Sequence, residues 1–410
     1  MILNYIWISF FLVAFIIALI KLIFFGDLTV FPNLFTKSMD MAKLGFEISL
    51  GLTGAMTLWL GIMKIGENAG IVKLFYRVTG PLLRKIFPDI PPNHKVFGPL
   101  IMNISANMLG LDNAATPMGL KAMEEMQELN PDKDKASNSM IMFLVLNTSG
   151  LTILPINIMV IRAQMGAADA TDIFIPVLLA TYFASLGGLI IVALYQKINL
   201  FDKTILLYLG TLTAFIVGII VYFNTLSQEE IQIISSVAAN LLLFSTIIFF
   251  IVLAMFKKVN VYESFIDGAK EGFGIAVRII PYLVAMLVGI GVFRECGALD
   301  LMVDGVRFSF DLFNVNTDFV DALPTAFMRP LSGSGARGMM VETMNTFGVD
   351  SFAGRLSSVM QGTTETTLYV VAVYFGAVGI RKTRYAISAG LMADLIGIIA
   401  AVLIGYLFFK

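Results

Sequence analysis

The sequence predicts an all-α integral membrane protein of about nine transmembrane helices plus two re-entrant helical hairpins, arranged as two inverted repeats. Three observations carry that prediction. Of the 410 residues, 58% are hydrophobic and 14% charged, whereas soluble domains carry about 25% charged residues. The apolar residues come in blocks close to the ~20 residues that cross a bilayer. Two further apolar stretches, 96–122 and 320–345, are interrupted by Gly, Pro, Asn and Ser and cannot be helical throughout.

Taken in order, the first block is "YIWISFFLVAFIIALIKLIFF". It has no basic segment before it and no small-residue cleavage site after it, so it is expected to stay as a helix over 4–25 rather than be removed as a signal peptide. Further spans are expected at 44–65, 138–161, 173–195, 204–223, 238–256, 274–293, 356–378 and 386–408. The net charge of -1 gives no reason to expect nucleic acid as a partner; the expected surrounding is the lipid bilayer. The single cysteine, Cys296, excludes an internal disulfide, and the single histidine, His94 in "PDIPPNH", reads as a solvated loop residue. No metal site or organic cofactor is expected.

Lys and Arg favour cytoplasmic loops. The gaps sort if both broken stretches return to the side they entered: 64–95, Lys197 with Lys203, Lys257 with Lys258 and Lys270, and "IRKTR" then share one face, opposite Glu229, Glu230 and Asp300–Asp321. This places the N-terminus in the cytoplasm and the C-terminus outside.

The segments "DMAKLGFEISLGL" from Asp40 and "DGAKEGFGIAVRI" from Asp267 match in type at most positions, and the elements after them run in parallel order. The expected organisation is an N-terminal helix (1–39), a first repeat (40–196), linking helices (197–258) and a second repeat (259–410). An odd number of crossings separates the matched helices, so the repeats point opposite ways. Many secondary transporters are built in this manner, with the solute bound where the repeats meet.

Non-helical backbone at membrane depth persists only inside protein or against a water-filled cavity. In the first broken stretch, Gly110 to Pro117 reads as a hairpin tip, with Asp112, Asn113 or Thr116 available to cap the returning helix. In the second, "RPLSGSGARGMM" supplies Arg329, Ser332, Ser334 and Arg337. Its glycines spell G-x-G-x-x-G, but no strand precedes them, which removes the nucleotide-loop reading. They are expected to form the turn; close helix packing is the plainer alternative. A helix N-terminus at such a tip offers amide donors to a polar solute.

Two spans carry polar groups at mid-depth: Asn147, Thr148 and Ser149 interrupt 138–161, and Gln361, Thr363, Thr364 and Glu365 interrupt 356–378. These groups coordinate a solute or bond helix to helix. Ionisable groups inside a span are costly and face a partner or a pathway. Glu365 and Asp394, with Asp112, Arg329, Arg337 and Glu342 on the broken stretches, are therefore candidates for ion coupling or for salt bridges.

These motifs resemble the bacterial spore maturation proteins A and B joined in one chain. The A-like half carries "LWLGIMKIGENAGI", "NISANMLGLDNAATPMGLKAM" and "LNTSGLTILP"; the B-like half carries "RPLSGSGARG", "SSVMQGTTETTLYVVAVYFGAVGIRKTR" and "AGLMADLIG". That family is similar to the wider group with a nucleoside recognition or gate domain, which includes concentrative nucleoside transporters. The resemblance implies paired re-entrant hairpins and two unwound helices around a substrate site. It places that site on Asn107, Asn113, Thr116, Asn147, Ser149, Arg329, Ser332, Ser334, Gln361, Thr363 and Glu365, with Glu365, Asp394 and Asp112 as ion-coupling candidates.

The expected function is secondary transport, not enzymatic catalysis, of a small polar solute (nucleoside-like, an amino acid or a small carboxylate) across the bacterial inner membrane, with Na+ or H+ as the coupling ion. A homo-oligomer is compatible with the chain. The alternative is a non-transporting scaffold for envelope or spore maturation. No H-E-x-x-H or G-x-x-x-x-G-K-[ST] occurs, which leaves metalloprotease and nucleotide-driven readings without support.

Overall fold

The computed structural model describes residues 2–109 and 112–410, with side chains described at all of these save 2, 3, 112–114 and 276. The described residues form helices α1 (Ile2–Phe25), α2 (Val30–Ala69), α3 (Ile71–Ile86), α4 (Phe97–Met108), α5 (Asp112–Leu129), α6 (Asn138–Thr148), α7 (Ile156–Gln164), α8 (Phe174–Gln196), α9 (Lys203–Phe223), α10 (Gln228–Phe256), α11 (Val261–Glu295), α12 (Ala298–Asp311), α13 (Leu323–Met328), α14 (Gly333–Phe347), α15 (Phe352–Thr363), α16 (Thr367–Ala377) and α17 (Ala386–Phe409). Seven of them (α1, α2, α8, α9, α10, α11 and α17) are long and apolar enough to cross a membrane. The chain is an all-α, multi-pass membrane protein.

Helices α2 and α11 run 40 and 35 residues, well beyond the predicted 44–65 and 274–293. At 1.5 Å per residue, α2 is about 60 Å long, twice the ~30 Å hydrocarbon core. The charges at Lys37, Asp40, Lys43 and Glu47 end the apolar run without ending the helix, and Lys43 pairs with Glu47 one turn on, at 3.7 Å. Similarly, α10 starts ten residues earlier than its apolar core because Ser227 and Glu230 form a capping box.

Each remaining predicted span is two short helices. In α6–α7, Asn147 Nδ2, Thr148 Oγ1 and Ser149 Oγ donate to the carbonyls of Phe143 and Val145 at 2.9, 3.0 and 2.7 Å. These bonds compete with the helical ladder. Gly150 and Pro155 then stop the helix from resuming before Ile156. In α15–α16, Gly362 and the run of β-branched threonines around Glu365 leave 364–366 irregular.

The matched segments also match in local geometry. Gly70 and Gly297 both take φ 88°, and each starts a short helix, α3 and α12. Hairpins follow, α4/α5 and α13/α14, then the broken pairs α6–α7 and α15–α16, then the long helices α8 and α17.

The helices gather into two compact units, each drawn from both halves of the sequence: Met1–Gly61, Asn157–Ala170 and Ala269–Gln361 in one, and Ile62–Ile156, Thr171–Gly268 and Gly362–Lys410 in the other. The core of the first joins Phe10, Ala14 and Ala18 of α1 to Met286 and Ile290 of α11 and Met339 of α14. The core of the second joins Leu100 and Ile101 of α4, Met123 of α5, Phe143 of α6, Val192 of α8, and Phe375 and Ala389 of α16 and α17.

Small residues bring α8 and α17 together in the second unit, as expected where apolar lipid gives helices little hydrophobic reason to associate. A Cβ at Gly187 would stand 2.6 Å from Ile396 Cδ1, at Gly188 2.9 Å from Ser149 Oγ, at Gly390 2.7 Å from Thr367 Cγ2, and at Gly397 2.6 Å from Thr363 Cγ2. The glycines thus seat α8 and α17 directly against the two irregular segments.

Candidate functional site

In the second unit the two breaks meet. The Glu365 amide donates to the Thr148 carbonyl at 2.6 Å, so each interrupted helix satisfies a backbone group of the other. Around this contact lies a network of neutral side chains. Asn107 Nδ2 donates to Asn147 Oδ1 at 2.7 Å, and the Tyr374 hydroxyl donates to the same oxygen at 3.4 Å. Asn103 Nδ2 donates to the Ala115 carbonyl at 2.8 Å and to the Tyr374 hydroxyl at 3.2 Å. Helix α4 is thereby tied to α6, to α16 and to the other limb of the hairpin, α5. Gly119 leaves room for this, since a Cβ there would overlap the Tyr374 hydroxyl.

Ser149 is fully buried, and its carbonyl accepts from Ser185 Oγ of α8. Asp394 of α17 is buried and accepts from Thr367 Oγ1 at 2.7 Å, a pairing that moderates a carboxylate whose placement in hydrocarbon costs about 2.5–3.5 kcal/mol. The Glu365 side chain is exposed in the chain, and Thr363 is buried. The structure thus brings Asn107, Asn147, Ser149, Thr363 and Glu365 to the crossing, with Asp394 behind it. Thr116 is exposed and makes none of these hydrogen bonds.

Two details differ from the sequence reading. Glu365 does not continue the helical face of Gln361, because α15 ends at Thr363. Thr116 and Pro117 do not start the returning helix, because α5 begins at Asp112 and carries Pro117 inside it. The side chains of Asp112 and Asn113 lie outside the described residues.

The first unit holds Arg329, Ser332, Ser334 and Gln361. The hairpin turns over Arg329–Leu331, and Ser332 caps α14 by accepting from the Gly335 amide at 3.0 Å; Ser334 Oγ lies 3.3 Å from Ser332 Oγ. Arg329 and Gln361 are buried. The glycines predicted to form the turn lie within α14, and neither Gly335 nor Gly338 takes a positive φ. They serve packing instead: a Cβ at Gly335 would overlap Met328, and one at Gly338 would stand 3.1 Å from Met286 Cβ.

Two buried cations in this unit were missed by sequence reasoning. Arg294, at the end of α11, pairs with Glu342 of α14: Nε lies 3.0 Å from Oε2 and both side chains are shielded from solvent. Thr346 Oγ1 donates to Glu342 Oε1 at 2.7 Å, and the guanidinium lies 5.3 Å from the Phe347 ring centroid. Arg162 of α7, fully buried, donates to the Val349 carbonyl at 2.9 Å and pairs with Asp350 at 3.2 Å. In the second unit the missed members are Asn103 and Tyr374. Asn103 had a signal, since it precedes Asn107 by one turn; Tyr374, inside an apolar run, had none. Among the described residues no group of three or more His, Cys, Asp or Glu side chains is placed to hold a metal.

Residues 49–165 and 276–381, more than half of the chain, match the family described as "Gate: Nucleoside recognition". The chain belongs to this Gate family. The two matched segments contain the two hairpins and the two broken helices. The chain is also 50% identical to spore maturation protein B of Bacillus subtilis over 186 residues, covering 45% of this chain and 96% of that protein. It is 45% identical to spore maturation protein A of the same organism over 150 residues, covering 37% of this chain and 76% of that protein. Each relative accounts for part of the chain, in keeping with a fusion of the two. No solved structure matches the chain.

Proposed function

We propose that this protein is a secondary transporter that moves a small polar solute across the bacterial inner membrane by alternating access, with the two hairpins as gates and Na+ or H+ as the coupling ion. The observation that carries the reading is the meeting of the breaks, with Glu365 bonded to Thr148 and with Asn103, Asn107, Asn147 and Tyr374 around them. Interrupted helices at such a point cost backbone hydrogen bonds, and transport folds use them to coordinate solutes and ions. The surrounding amides and hydroxyls are neutral, and Asn103 Oδ1 is buried without a hydrogen-bond partner among the described residues. These groups suit a solute read by hydrogen bonds, as a nucleoside is, better than a small carboxylate. The family's description is in line with that class.

Glu365 is the leading coupling group and Asp394 the second. In this reading the N-terminus is cytoplasmic. The names of the relatives favour one other reading, a non-transporting assembly factor in envelope or spore maturation. A thermal-shift screen of the purified protein against nucleosides, amino acids, dicarboxylates and metals, with and without sodium and at two pH values, separates the two. Transport predicts a ligand-dependent rise that depends on the ion, and the scaffold reading predicts none.

A further inference from the structure

A cavity of about 480 Å³ lies in the second unit between α3, α4, α8, α9 and the first break. Its size falls within the 300–1,000 Å³ of small-molecule sites. None of its lining residues is charged, and most are Leu, Ile, Val, Phe or Tyr. At its edge Val78 and Phe215 are both more than half exposed, so its mouth faces the apolar surroundings of the helices. Its inner end is the irregular backbone at Gly150 and Leu151. Their amides make no hydrogen bond among the described residues, although Thr152 and Ile153 beside them do.

A backbone donor at membrane depth requires an acceptor. Ordered water does not fill such a space, because each water needs two to four polar partners and, apart from residues such as Asn107 and Ser185, the lining is largely apolar. We infer that this cavity binds an uncharged amphiphile of the acylglycerol type, which enters sideways from the bilayer. Its hydrocarbon tail fills the space between α3 and α9, and an ester or hydroxyl oxygen accepts from the amides of Gly150 and Leu151. Helix α9 lies outside the residues that match the Gate family, so one wall of this site belongs to the linking helices of the fused chain. The site shares Asn107 with the proposed solute site, and its occupant would act on the geometry of the first break.

The test is photolabelling of the full chain in liposomes with a diazirine-bearing monoacylglycerol, mapped by peptide mass spectrometry. Label is expected to concentrate on 146–151, 182–189 and 208–215. Leu212→Trp, which fills the cavity from α9, should lower it about tenfold, the size expected of overpacking. Leu207→Trp, on the exposed side of the same helix, should leave it unchanged. Leu151→Pro removes one donor in a segment that is already irregular and should also lower the label. Excess dioctanoylglycerol should compete, whereas dioctanoyl phosphatidate, which brings a charge, should not. Label spread evenly over the exposed faces of α9 and α10, label indifferent to Leu212→Trp and Leu151→Pro, or equal competition by the phosphatidate overturns the inference.

Discussion

The Glu365 amide donates to the Thr148 carbonyl at 2.6 Å, and this main-chain bond joins the two interrupted helices where each has lost its own ladder. Removing the donor, not the side chain, should break it. Glu365→Pro is expected to cost the bond and to leave the buried Thr148 carbonyl unpaired, together about 1–3 kcal/mol. Glu365→Gln keeps the amide and should keep the fold. Melting of the two purified variants checks the contrast.

Asp394 and Thr367 form the second prediction. Thr367→Val removes a donor from a buried carboxylate and should lower stability by about 1–3 kcal/mol. Adding Asp394→Leu removes the buried carboxylate itself, so the double variant should melt above Thr367→Val alone. Additive losses would show that the 2.7 Å hydrogen bond does not govern this carboxylate.

A third prediction concerns glycines on neighbouring helices. Gly188→Val and Gly397→Val push into Ser149 and Thr363 and should cost about 1–3 kcal/mol each by overpacking, with loss of ligand response. Gly210 of α9 has nothing within 4 Å of a Cβ, so Gly210→Ala should be neutral or stabilising by up to about 1 kcal/mol. Thermal melts of the three variants decide it.

Arg294 and Glu342 supply the fourth. Arg294→Gln strands a fully buried carboxylate and should destabilise by about 3–5 kcal/mol, much of which Glu342→Gln in the same chain should restore. The exposed pair of Lys43 and Glu47 should contribute at most about 1 kcal/mol. Chemical denaturation in detergent distinguishes the two cases.

Much of the architecture was legible because the bilayer imposes a length and a composition. The apolar blocks marked α1, α8, α9 and α17 to within a few residues, and Gly, Pro and Ser marked both hairpins. Helix ends in the aqueous layers were less legible. Lys37, Asp40 and Lys43 stop hydrophobicity but not helical propensity, so α2 runs on past the predicted boundary. The glycines of "SGSGARG" were expected to form the turn, and the nearness of Met286 and Met328 decides instead for packing.

The candidate site was half legible. Polar residues in apolar runs pointed to Asn147, Ser149 and Glu365, and the family resemblance pointed to Asn107. Tyr374 is an aromatic among apolar neighbours, and its hydroxyl acquires a role only where α16 meets α4 and α6. Arg294 carried no local sign of burial, because its partner Glu342 lies 48 positions away in the chain. Pairings of that separation are written in the fold, not in local pattern.

Uptake of a radiolabelled nucleoside into proteoliposomes under an imposed sodium or proton gradient, with wild type beside Glu365→Gln, tests the transport proposal most directly. The account predicts gradient-driven uptake by the wild type and a changed ion dependence in the variant, with both proteins folded. The same gradient-independent baseline in both, for nucleosides and then for amino acids and dicarboxylates, would contradict it.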